Sequence, residues 1–167
     1  MNINNIRDMF AYNYWANNRL LAKAEQVTPE QFTAEPIPGV SSLQGAFVHT
    51  LDAESSWRHL FQGQGFQPDL DRADFPTVAA LCLRWQDEER AMWAYLDSLS
   101  EADLTRILRY EVEGGIWRER LLWHCLYHVV NHGTQHRSEA AALLTACGHS
   151  PGEMDFTLFL NERAAKR

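Results

Sequence analysis

Apolar residues recur at helical spacing through most of the chain. From about Ile3 to Gln26, the positions Ile6, Phe10, Tyr14, Leu20, Leu21 and Ala24 share one face, and Thr28-Pro29 closes the segment because a residue before proline avoids the helical conformation. A loop containing Pro36, Pro38 and Gly39 follows. Ser41, with Gln44 three residues on, resembles a capping box and predicts a second helix through Phe61, stopped by Gly63 and Gly65. The linker Gln67 to Asp74 leads to Pro76, a suitable first-turn residue for a third helix extending to about Leu99. Leu104 to Val112 then alternates apolar and polar residues as a strand does, with Gly114-Gly115 behind it, predicting an extended stretch or short hairpin packed on the helices. A fourth helix is expected from about Ile116 to Cys147 with Gly148 as its cap, and Pro151-Gly152 turns the chain into a short last helix, Asp155 to Ala164. Four long amphipathic helices predict an all-α fold: a four-helix bundle with a short extended segment before the last long helix and a short C-terminal helix. With no internal repeat, low-complexity tract or domain linker, residues 1–167 read as a single domain.

The fourth helix carries the most informative pattern. His124, His128, His132 and His136 follow one another at intervals of four, so their side chains stack along one helix side. With His124 at zero and about 100° per residue, the apolar arc of Leu121, Cys125, Val129, Leu143 and Cys147 centres near ~140°. His136 falls within that arc at ~120° and His132 at its edge near ~80°, while His128 and His124 rotate outward to ~40° and zero. Two imidazoles on adjacent turns of an apolar face each need a polar partner where partners are scarce, and a shared metal ion satisfies both. His132 and His136 are therefore the expected ligand pair.

A third ligand has to come from another helix. His49 leads, because its face also carries Ala46, Ala53 and Leu60, and small neighbours leave room for an ion; His59, His149, Asp52 and Glu54 are the rivals. Glu54 falls within the apolar arc of Leu43, Phe47, Trp57 and Phe61, so it is expected either beside the site or as a structural acceptor.

Composition narrows the classes. A formal charge of −7 opposes broad nucleic-acid binding, because the phosphate backbone attracts basic surfaces. Cys82, Cys125 and Cys147 lie far apart without a paired pattern, as in reduced cytosolic chains, and Cys125 and Cys147 read as small core residues. With no signal peptide and no span of eighteen apolar residues, a cytoplasmic protein without membrane association is expected. Six tryptophans, Trp15, Trp57, Trp85, Trp93, Trp117 and Trp123, exceed the needs of a small bundle. Trp123 and Tyr127 lie on the outer side of the histidine helix, near ~260° and ~300°. Exposed aromatics commonly anchor interfaces, so a homodimer is expected.

The strings YHVVNHGTQHRSEAAALL, FVHTLDAESSW and YNYWANNRLL together resemble the DinB superfamily of small bacterial bundle proteins, over nearly the whole chain. The resemblance implies a divalent metal held by one histidine of the second helix and a His-x-x-x-His pair, here His49, His132 and His136. It implies two-fold dimers as well. It also implies the activities assigned to some members: transfer of a low-molecular-weight thiol, bacillithiol or mycothiol, or mycothiol-dependent isomerisation of maleylpyruvate. The chain departs from the usual HRGQI by reading His136-Arg137-Ser138-Glu139-Ala140, placing an acid where the family often has glutamine. Arg137 matches the family, although the wheel sets it at the border of the outer face, where a helix-packing or interface role is as much expected as a substrate one; it and His128 join Glu54 as candidates to support the ligands.

Three neutral imidazoles leave a position open on the ion, where a thiol or water becomes a nucleophile near neutral pH. Histidine ligation suits zinc and nickel, with iron and copper also compatible. The expected function is a metal-dependent thiol S-transferase acting on small electrophiles. A metal-dependent hydrolase and a non-catalytic metal-binding stress-response protein are the alternatives.

Overall fold

A computed structural model of the protein describes residues 1–36 and 41–165, so the loop positions Pro38 and Gly39 lie outside the described residues. Helix α1 spans Ile3–Ala24 and begins with a capping box in which the Asn2 and Asn5 side chains accept from each other's backbone N–H groups. A one-turn helix α2, Pro29–Thr33, opens with the same device, built from Thr28 and Gln31. Helix α3 spans Leu43–Phe61, α4 Val78–Asp97, α5 Leu122–Ala146 and α6 Phe156–Ala165.

Three predicted boundaries shift. The cap of α3 is Ser42, whose hydroxyl accepts from Gly45 N–H at 3.0 Å. Gln44 reaches instead to the carbonyls of Arg72 and Phe75, tying the start of α3 to the linker before α4. Helix α4 begins after Thr77, whose hydroxyl accepts from Ala80 N–H, so Pro76 precedes the helix. Most informative is Ile116–Leu121, expected to be helical, which forms strand β2 paired antiparallel with β1, Ile107–Val112. The intervening turn contains Gly114 and Gly115, both at positive φ, a conformation that glycine adopts without steric cost. Trp117 therefore projects from a hairpin and not from a helix.

Helix α5 packs on α3 along one side and on α1 along another, while α4 packs on α3 and α1. One end of the bundle core gathers Phe10, Phe61, Met92, Leu96, Leu122 and Leu126. The other gathers Leu20, Leu43, Leu51, Leu81, Trp85 and Leu144. Flanked by two helices, α5 buries a wider arc than a one-sided amphipathic helix. Cys125 lies buried in it and Cys147, which caps its end, is half-buried. Beyond Cys147, Gly148 takes φ +84° and His149 N–H returns to the Leu144 carbonyl at 2.8 Å, closing the helix. No described helix is long and apolar enough to cross a membrane.

Candidate metal centre

The groove between α3 and α5 brings His49, His132 and His136 together. One ring nitrogen from each lies within 4.8 Å of the other two, and a divalent ion could be held between them. The ring centroids of His49 are 5.2 Å from His132 and 4.5 Å from His136. The i,i+4 spacing on α5 sets the second pair 4.5 Å apart. His49 is exposed at the mouth, and the two α5 rings are half-buried.

The hydrogen bonding of these rings favours a cation. The Nδ1 atom of His136 lies 2.7 Å from Glu139 Oε2; donation to that carboxylate leaves Nε2 with its lone pair directed elsewhere. The Nε2 atom of His132 is buried and has no hydrogen-bond partner among the described residues. A buried imidazole nitrogen without a partner is costly unless an ion or donor satisfies it. Burial, reinforced by the neighbouring His136, His49 and His128, pushes His132 down to about 4. Partial withdrawal from water and the adjacent His136 likewise lower His49. Both rings are thus neutral at physiological pH, the form that binds metal. The donor set fits a divalent transition metal such as zinc or nickel, and it fits a hard oxygen-seeking cation poorly.

The rival third ligands point elsewhere. Asp52 accepts from Leu70 N–H at 3.0 Å and pins the linker beyond α3. His59 Nδ1 lies 2.7 Å from the Ser55 carbonyl of its own helix. His149 sits in the turn beyond α5.

Glu54 and Arg137 take partners away from the three imidazoles, whereas His128 neighbours one of them. Glu54 is buried, accepting from the Tyr14 hydroxyl at 2.5 Å and from Asn13 Nδ2 at 3.0 Å, and burial raises its carboxyl to about 7. Arg137, at the border of the outer face on the helical wheel, is buried against α1. It donates to Asn13 Oδ1, to Asn17 Oδ1, to the Val130 carbonyl and to the Thr134 hydroxyl. Helix α1 covers the flank of α5 that a one-sided helix would leave wet. Gly133 makes that contact possible: a Cβ there would sit 2.8 Å from Arg137 Nη1 and 3.1 Å from Asn13 Oδ1. His128 turns its ring toward Trp57, 5.2 Å between centroids, and lies 5.7 Å from the ring of His132. His124, the outermost of the row, is exposed and meets Trp123 edge-on.

Sequence reasoning missed the partners in this network. Asn13 and Asn17 are polar residues one turn apart on the buried face of α1, a signal as legible as the histidine row. Glu139, the acid noted where the family often has glutamine, stands at i+3 from His136, the spacing at which helical side chains meet.

A DinB family model matches residues 1–166. The chain belongs to the DinB family. Protein DinB of Bacillus subtilis (strain 168) is 23% identical over 157 residues, covering 91% of each chain. The crystal structure of a DinB-like protein from Bacillus subtilis superposes with a TM-score of 0.63 at 16% identity, covering 85% of this chain and 92% of that one. A conserved protein from Enterococcus faecalis superposes with a TM-score of 0.65 at 13% identity, covering 83% and 94%. At these identities the structural likeness establishes the helical DinB-like fold.

Proposed function

We propose that this DinB-family protein holds a divalent metal ion, zinc or nickel, through His49, His132 and His136, and uses it to transfer a low-molecular-weight thiol onto small electrophilic molecules. The observation carrying this reading is the unpartnered, buried Nε2 of His132 within a three-histidine cluster. His49, His132 and His136 would hold the ion, which would supply Lewis-acid chemistry favouring the deprotonated form of a thiol or water.

The chain's own residues prepare the site in three ways. His132 is kept neutral by burial, so protons compete weakly for it. Glu139 accepts from His136 Nδ1 and fixes the ring's tautomer and orientation. Exposed His49 leaves the site open to solvent at the groove mouth, where a small molecule can enter.

The test is a conjugation assay on metal-loaded protein with a panel of low-molecular-weight thiols and an electrophile such as 1-chloro-2,4-dinitrobenzene. Saturable, chelator-sensitive turnover that His49→Ala, His132→Ala and His136→Ala each abolish, and His124→Ala retains, is expected. Metal-dependent hydrolysis of esters without thiol transfer would replace the transferase with a hydrolase. Tight metal binding without either activity would leave a non-catalytic metal-binding protein. Equal loss in all four variants would show that the histidine row acts as one unit.

A further inference from the structure

We propose that the groove continuing from the three-histidine cluster toward Trp57 is a subsite for the flat, apolar body of a small-molecule ligand whose donor atom reaches the cluster; this rests on the metal reading above. The two helices lining it run antiparallel. As α3 advances from His49 to Trp57, its partners on α5 retreat from His132 and His136 to His128. His49, Ala53 and Trp57 are successive i+4 positions of α3, and His136, His132 and His128 are the same series on α5. Each triplet therefore forms one continuous stripe, and both stripes border the same groove.

The far end of that groove is aromatic. Trp57 is half-buried and surrounded by His128 at 5.2 Å, Tyr110 at 5.3 Å and Phe66 at 5.4 Å between ring centroids. Tyr110 arrives from β1, so the hairpin serves as the end wall. Phe66 comes from the loop after α3, where Gly63 and Gly65 adopt φ of +79° and +73°. Those two left-handed turns fold the loop back on its own helix and set Phe66 over Trp57, yet Phe66 remains 43% exposed. The ring meets Trp57 and Tyr110 edge-on, and its exposed part is free to meet a ligand.

Ala53 stands between the two ends with the smallest side chain of its stripe. The eight residues from His49 to Trp57 correspond to about 12 Å along the helix axis. That length holds one or two rings and a short linker, and it is too short for a folded partner. Aromatic walls of this kind bind planar apolar groups through edge-to-face and offset contacts, which adds specificity to the burial of apolar area. The ligand class is thus an aryl-bearing small molecule, with its polar donor at the histidine end and its ring against Trp57 and Phe66.

The test compares two hydroxamates that carry the same metal-directed head, acetohydroxamate and 3-phenylpropanohydroxamate, by calorimetry on zinc-loaded full-length protein. The phenyl compound is expected to bind about tenfold more tightly, the size of effect that added aromatic contacts provide. Phe66→Ala removes an exposed loop ring and Ala53→Leu fills the groove floor without removing any ring. Both are expected to shrink that preference to about threefold or less. Equal affinity of the two hydroxamates for the native protein, or a preference unchanged in both variants, overturns the subsite and leaves the metal reading standing. Failure of acetohydroxamate to bind the loaded protein overturns the metal reading and the subsite with it.

Discussion

The Nδ1 atom of His136 lies 2.7 Å from Oε2 of Glu139, one turn further along α5. A carboxylate in that position holds the imidazole in the tautomer whose other nitrogen can bind a metal, and it increases that nitrogen's basicity. Glu139→Ala should weaken zinc affinity by about 10- to 100-fold, the usual effect of removing such a partner. Glu139→Gln should retain part of it, because an amide oxygen still accepts from Nδ1. Competition titration of apo-protein against a chromophoric chelator measures both. Affinities indistinguishable from the native protein would remove Glu139 from the site.

Glu54 makes stability depend on pH with a definite sign. Its carboxyl is raised to about 7 in the folded protein, chiefly by burial, so the folded state retains a proton that the unfolded chain has released. Stability from this group is fully present below the unfolded value near about 4.3 and is lost as pH rises through about 7. Glu54→Gln stays neutral throughout. Relative to the native protein it should gain on the order of 3 kcal/mol between pH 4 and pH 8, measured as the difference in urea unfolding free energy. A difference that is constant with pH would show that Glu54 is ionised in the fold.

The ion pair between α3 and α4 is structural. Arg58 donates to Glu88 at 2.5 Å and 2.9 Å, and the Glu88 side chain is fully buried. Burial alone would raise the Glu88 carboxyl, but hydrogen bonds and charge from Arg58, together with Arg84, more than reverse this and hold it below the usual range. Arg58→Ala removes two of the bonds to that buried carboxylate and leaves it Arg84 Nη1 at 3.3 Å as its cationic partner, which should cost about 3–5 kcal/mol in chemical denaturation. The stability conferred by the pair is present above the ordinary glutamate range and lost as pH falls below it. A loss under about 1 kcal/mol would mean that Arg84 and solvent replace Arg58.

We also propose that the chain is a homodimer. Tyr127 on α5 and Trp117 on β2 are 43% and 53% exposed, with Ile107 and Ile116 of the hairpin exposed as well. Trp123, outward on the wheel, is half-buried against the core, so the proposal rests on Tyr127 and the hairpin. Light scattering of dilute protein should give about twice the 19.2 kDa chain mass. A mass equal to a single chain contradicts the proposal.

Legibility of this molecule from its sequence followed the range of the interactions. The helical periods of α1, α3, α4 and α5 are local, and the histidine row at i+4 was visible because one helix fixes it. The choice of His49 over His59 and Asp52 used small neighbours on the same face, a local trait again. For Arg137 the wheel gives only a position bordering the outer face, because its burial depends on α1, which is distant in sequence, and the wheel assumes a single covered side. Ile116–Leu121 was assigned to the helix although IWRERL alternates as a strand. Its pairing with Ile107–Val112 across the glycine turn, a short-range signal, was outweighed by the apolar run that follows. The aromatic end of the groove was not legible at all, since Trp57, Phe66, Tyr110 and His128 meet only in the fold.

The central claim is that His132 and its two neighbours bind a metal ion, and metal content tests it most directly. The native protein and His132→Ala would be purified side by side, loaded with zinc, desalted and analysed by elemental mass spectrometry. Truncating His132 removes a buried nitrogen that has no hydrogen-bond partner among the described residues, so the variant is expected to fold, which circular dichroism verifies. The account predicts about one ion per native chain, with nitrogen ligands at about 2.0–2.1 Å by X-ray absorption, and little metal in the variant. Equal metal in the two proteins would contradict it.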